Sequence, residues 1–316
     1  MKYSLRLLLA LLVLISFSSN TASAASYDAY VDDSNDTGIE DGTRANPYNT
    51  IMEAVDAVAE NSRNYRRIYV SKGEYEEKVV LGDYVKLYGK HRNDVTIDGD
   101  DEYYTVKMKD HTLLKNVTIN KGRRGILVDE NSRASIKKVK VKKSDKIGIE
   151  ILKSKTNKSE RVTITDSKIY KSDGKGLYIK KGIVEIEDSE VYENDEEGID
   201  LRSGVEGKIS NNEIYENGES GIEIVVNKSD MKISNNTIEK NKTSGISVQY
   251  YKHKTKEGDI VIKRNDMTTN DKYGIKCGRP SGGYVDSSYW SENISLSENV
   301  NTDNLLGKYY TDCYFQ

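Results

Sequence analysis

One frame recurs seven times between residues 114 and 277. Each copy has an apolar start, a small or amide residue eight positions on, and then Gly-Ile-x-Ile or a close variant; in the last five copies the residue three positions after the start is also Ser or Asn. The starts are Leu114, Ile136, Ile164, Ile186, Ile209, Ile233 and Ile262, and the glycines are Gly125, Gly148, Gly176, Gly198, Gly221, Gly245 and Gly274. A repeat of about 22 to 29 residues that cannot bury its own apolar face has to stack on copies of itself. Each copy holds very short alternating segments, not a helical stripe. Helical repeats need about 33 residues or more, with apolar residues at helical spacing, and leucine-rich repeats want Leu at several fixed positions. Short strands joined by turns, one coil per repeat, give a parallel β-helix. About ten coils from Ile68 onward would make a rod roughly 48 Å long at the inter-strand spacing.

Stacking puts equivalent positions above one another. Three residues after each start stand Val117, Val139, Ser167, Ser189, Asn212, Asn236 and Asn265; eight residues after it stand Gly122, Ser144, Ser172, Asn194, Asn217, Asn241 and Asn270. Asn tolerates turn dihedrals and can bond the same residue one coil above and below, so two inward ladders are expected.

Lys2 and Arg6 precede the apolar run Leu7 to Phe17, and Ala22-Ser23-Ala24 is a small-x-small sequence. This reads as a secretory signal peptide over 1–24, cleaved after Ala24, and hence as an extracytoplasmic protein. No later segment approaches a membrane-spanning length of apolar residues. Residues 25–316 show no interdomain linker and read as one domain: a cap and first coils over 25–110, regular repeats over 111–277, and a last coil and tail over 278–316. Thr50 and Glu53 have capping-box spacing, followed by Ile51, Ala54, Val55 and Val58 at helical intervals. A short helix over 50–59 would cover the open end of the rod.

Hydrophobic residues make up only 36% of the chain, which suits a narrow core with few side chains per coil. The net charge is −3, and losing Lys2 and Arg6 makes it −5, so no basic excess points to nucleic acid. Cys277 and Cys313 could pair in an oxidising compartment; two free thiols are the alternative.

The N-terminal part resembles a known superfamily. Asn46-Pro47-Tyr48-x-Thr50-Ile51-x-x-Ala54-Val55, Ile68-Tyr69-Val70-x-x-Gly73-x-Tyr75-x-Glu77, Leu87-x-Gly89 and Ile97-Asp98-Gly99 look like the opening of pectin-lyase-like right-handed β-helix proteins. The Gly-Ile-x-Ile coils look like the repeats of the same superfamily, and the resemblance covers about residues 27–300. It implies a right-handed, single-stranded, all-β parallel β-helix. The superfamily includes polysaccharide lyases, hydrolases, esterases, epimerases and tailspikes. The motifs of its hydrolases and epimerases are missing: of His91, His111 and His253, none stands in Gly-His-Gly, and Asp-Pro-His-Asp is absent. Ca²⁺-assisted β-elimination needs no histidine, only carboxylates for the ion and an Arg or Lys base.

The repeat shows where such groups gather. Two outward columns are expected on the Gly-Ile-x-Ile strand. The first is Leu127, Glu150, Tyr178, Asp200, Glu223, Ser247 and Lys276; the second is Asp129, Leu152, Lys180, Arg202, Val225, Gln249 and Gly278. Glu150, Asp200 and Glu223 are candidate Ca²⁺ ligands, and Arg202 is a candidate base. Tyr178, Lys180, Tyr250 and Tyr251 join them as candidate ligand-binding residues. The gap from glycine to the next start, usually 10 to 12 residues, grows to 16 after Gly148, 17 after Gly245 and about 22 after Gly274. Insertions in one turn project from one edge and suggest a binding face. A further column, Tyr170, Tyr192 and Tyr215, fits either side-chain packing or a platform for sugar rings.

These features point to a protein that meets extracellular, acidic polysaccharide. Three classes compete: a non-catalytic or surface-structural binder, a Ca²⁺-dependent lyase of uronate polymers, and an accessory factor of a periplasmic system.

Overall fold

The computed structural model describes residues 26–58, 64–100, 102–154, 157, 159–251, 258–278 and 287–309. The expected signal peptide, Cys313, the stretch Lys252-His253-Lys254 and most of the last insertion lie outside them.

The described chain winds through three parallel sheets in turn. The first has eleven strands, the second nine and the third ten. Every start residue lies on the first sheet in direct register with the next, as in Ile186↔Ile209 and Ile209↔Ile233. The Gly-Ile-x-Ile segments form the third sheet, with Ile199↔Ile222 and Leu201↔Ile224 as adjacent pairs. Strands of three to six residues suffice because each coil is finished by its neighbours. The apolar residues that alternate inward are sealed in one continuous core from Ala29 to Ile294.

Both ladders form, and they run further than the repeat suggests. Asn212 Nδ2 donates to Asn236 Oδ1 at 2.9 Å, Asn236 to Asn265 at 2.8 Å, and Asn265 to Asn299 at 3.1 Å. The second runs Asn194, Asn217, Asn241, Asn270 and Asn304, with each side-chain bond at 2.9 to 3.0 Å. One expectation needs correcting. The ladder residues do not supply the turn's left-handed backbone; the residue just before each of them does, for instance Asn211, Asn235 and Arg264 in one ladder and Glu193, Glu216 and Lys240 in the other. A left-handed L-residue costs about 1–2 kcal/mol. The bend leaves the next side chain pointing inward, where it bonds along the rod.

Helix α1 (Ile51–Val58) closes one end and buries Ile51, Ala54, Val55 and Val58. The capping box is real: the Thr50 amide donates to Glu53 Oε2 at 3.0 Å, and the Glu53 amide to Thr50 Oγ1 at 3.2 Å. Glu77, from the first coil beneath, accepts the Ile51 and Met52 amides at 2.7 and 2.9 Å and so caps the helix a second time. The structure adds a second helix, α2 (Ser287–Asn293), which the repeat pattern does not announce. It comes from the longest insertion and carries the fully buried Trp290. Cys277 is buried and disulfide-bonded. Among the described residues no helix is long and apolar enough to cross a membrane.

Candidate functional site

Alternation alone would make the outer face of the third sheet a solvated strip. It is largely sealed instead: Glu150 is 1% exposed, Asp200 0% and Glu223 8%. Even Val225 is buried. Burying a carboxylate requires partners, and the neighbouring coils supply them.

The register is as expected, with Glu150↔Tyr178, Tyr178↔Asp200 and Asp200↔Glu223. Glu150 therefore stands two coils from Asp200, and the two do not meet. Glu150 is held by Arg124 and by Lys180, whose Nζ is 2.8 Å away. A different residue, Glu197, completes the acidic group. One carboxylate oxygen each from Glu197, Asp200 and Glu223 lies within 4.8 Å of the others. Lys175 Nζ bonds Glu197 and lies 3.1 Å from both Asp200 and Glu196. Arg202 Nη1 lies 3.2 Å from Asp200 and 3.4 Å from Glu223, while Nη2 donates to the Tyr251 hydroxyl at 3.2 Å. Gln249 Nε2 donates to Glu223.

Three crowded carboxylates between two cations cannot all ionise easily. Burial, then Glu197 and Asp200, push the Glu223 carboxyl up to about 8, so it is mostly protonated at neutral pH. Burial also raises Asp200, against the pull of Lys175 and Arg202. Glu197 goes the other way: burial would raise it, but its bond and charge contact with Lys175 hold it down. For Arg202, burial favours loss of the proton, yet Asp200 and Tyr251 outweigh it and raise the pKa further. A guanidinium held this firmly in its charged form is a poor base.

Tyr178 and Lys180 sit beside the cluster, with Lys180 Nζ 5.7 Å from the Tyr178 ring centre. Tyr251 lies under Arg202, 5.8 Å from its guanidinium carbon. Tyr250 turns away: its ring packs 4.3 Å from that of Tyr289, edge-on to Trp290. It seals the α2 end of the core. Lys175, Glu197 and Arg124 all occupy the position just before the repeat glycine, a column whose charges are visible in the sequence but which the two outward columns do not include. The tyrosine column forms a flat stack on the second sheet, with ring centres 4.9 Å apart for both Tyr170–Tyr192 and Tyr192–Tyr215.

A family model described as a right handed beta helix region matches residues 154–304. The protein is a right-handed parallel β-helix. Among solved structures, the β-helix is similar to pectate lyase Pel9A at 14% identity and TM-score 0.63, over 88% of this chain and 81% of that one. It is similar to an alginate lyase from Paenibacillus sp. str. FPU-7 at 12% identity and TM-score 0.60, over 81% and 95%. The Dettilon tailspike protein aligns at 15% identity and TM-score 0.52, over 74% of this chain and 53% of that one. At these identities the likeness is one of fold. No curated protein matches the sequence.

The face of this β-helix can therefore present two kinds of group. Lys180 and Arg202 remain part exposed as fixed cations with tyrosines beside them. Beneath them, a protonated Glu223 can donate a hydrogen bond to a hydroxyl.

Proposed function

We propose that the chain is a secreted β-helix protein that binds an acidic polysaccharide, without turnover, along the outer face of its third sheet. The observation that carries this reading is the setting of Arg202. It is bonded to Asp200, Glu223 and Tyr251 and kept charged, which suits gripping a carboxylate and does not suit removing a proton. Tyr178, Lys180 and Tyr251 extend the strip with aromatic and cationic groups of the kind that hold a sugar acid. The fold neighbours named as pectate and alginate lyases add a polysaccharide context. Secretion rests on the signal-like segment ending at Ala24.

A second reading, Ca²⁺-dependent β-elimination, draws on the Glu197, Asp200 and Glu223 oxygens. Their donor type suits Ca²⁺. However, Asp200 is already held by Lys175 and Arg202, so the ion would have to displace them.

Calorimetry with oligogalacturonate and oligoalginate, run alongside ultraviolet detection of the unsaturated product with and without Ca²⁺, tests both. Binding without product, weakened by Arg202→Gln and by added salt, is the expected result. Product that requires Ca²⁺ would establish the lyase. Binding untouched by Arg202→Gln but lost on replacing Tyr170, Tyr192 and Tyr215 would move the site to the tyrosine stack.

A further inference from the structure

The outer face of the first sheet carries a groove that the site above does not use. Its volume is about 550 Å³, and its lining includes Tyr65, Lys86, Arg133, Ser135, Arg161 and Thr163. Lys86 stands directly above Arg67 in register, and the column continues through Leu113 and Ser135 to Thr163.

Among the described residues no carboxylate lines this groove. Those at its edge are engaged: Glu185 pairs with Arg161 at 2.6 Å, and Asp110 and Glu160 flank His111 at 2.9 and 3.9 Å. Among the described residues, neither Lys86 nor Arg133 has a carboxylate within ion-pair distance. Lys86 Nζ instead lies 3.4 Å from the centre of the Tyr65 ring. Its pKa is lowered, first by burial and then by the charges of Arg67 and Arg133. Lys86 and Arg133 line the same concavity, and the charge of Arg133 is felt at Lys86. Thr163 Oγ1 donates to Ser135 Oγ at 3.0 Å, which leaves the Ser135 hydroxyl as a neutral donor beside them. Cations, hydroxyls and an aromatic ring around an open hollow are what an oxyanion on a sugar requires.

We infer that this first-sheet groove is a second glycan subsite, which takes the carboxylate or sulfate of an acidic sugar between Lys86 and Arg133. The inference rests on the acidic-polysaccharide reading for its ligand, but the site is separate. It gives the β-helix two contact faces, one on the third sheet and one on the first.

The test uses the full chain with inorganic sulfate and with an oligogalacturonate, both as free acid and as methyl ester. The readout is the backbone amide shifts of Ser135 and Thr163 together with calorimetric affinity. Sulfate and the free acid should shift these amides saturably, and the ester should not. Lys86→Gln with Arg133→Gln should weaken both ligands at least tenfold, whereas Lys208→Gln, further along the same sheet and paired to Glu187, should leave them unchanged. Absence of saturable shifts, or shifts that survive the double substitution, overturns the groove. Sulfate binding with no oligomer binding overturns the sugar assignment. Oligomer binding lost in Arg202→Gln but intact in the double variant overturns the groove and leaves the third-sheet reading standing.

Discussion

Lys175 Nζ lies 3.1 Å from the Asp200 carboxylate, on the next coil of the third sheet. The same ammonium holds Glu196 and Glu197, so one side chain ties together the acidic side of the candidate site. Lys175→Met should destabilise the fold by about 3 kcal/mol, the lower end of the cost of breaking a buried pair, since Lys175 keeps some exposure. Denaturant unfolding checks this. A change below about 1 kcal/mol would show that the carboxylates do not depend on it.

Glu223 gives the fold a pH dependence of definite sign. Its folded pKa, about 8, lies above its ordinary value of 4.5. The folded state therefore holds a proton that the unfolded state has lost, and stability falls as pH rises from 4.5 to 8. The raised Asp200 acts in the same direction from 3.8 upward. The depressed Glu197 acts below 4.5, where stability is lost as pH falls through its folded pKa. Glu223→Gln should flatten the decline between pH 5 and 8, by about 1.4 kcal/mol for every tenfold difference in proton affinity between the folded and unfolded states that the substitution abolishes. Melting temperatures across that range measure it, and parallel curves for the two proteins would count against the assignment.

Asn236→Leu should cost about 1–3 kcal/mol, because the Asn212 side chain loses its acceptor and Asn265 its donor in a sealed stack. Thermal unfolding reads the loss, and a melt that matches wild type would rule out a stabilising ladder.

Glu77→Ala should remove two caps from α1 at once and cost about 1–2 kcal/mol. Deleting the chain through Val58 goes further, exposing the apolar edge under the helix. Light scattering should then report aggregation.

Tyr192→Ala should lose stacking on two sides, about 1–2 kcal/mol, while leaving glycan affinity unchanged. Calorimetry on the folded variant separates packing from a sugar platform.

The coil path was legible because the repeat fixes which residue lies above which, and Ile209 or Asn236 falls where its spacing says. The chemistry of the third-sheet face was harder to read. Alternation says that Asp200 points away from the core, but it does not say that Lys175, Arg202 and Tyr251 close over it. Glu197 escapes notice because its column also holds Ile147, Ser220 and Ser244, so the position does not announce a charge. Glu150 and Asp200 share a column, yet two coil steps are too far for one ion. Asn299 and Asn304 are hidden because the last coil, stretched by an insertion, leaves the frame. Tyr250 and Tyr251 are neighbours in sequence, and only packing against Trp290 assigns the first to the core.

The two ladders also change character along the rod. Toward α1 the inward turn positions are Val117 and Val139 in the first ladder and Gly122 and Ser144 in the second; from Asn194 onward both are amides bonded coil to coil. The apolar core is common to both halves, so its weakening on cooling is felt along the whole rod. The amide column is an addition to that core, carried by the half beyond Asn194.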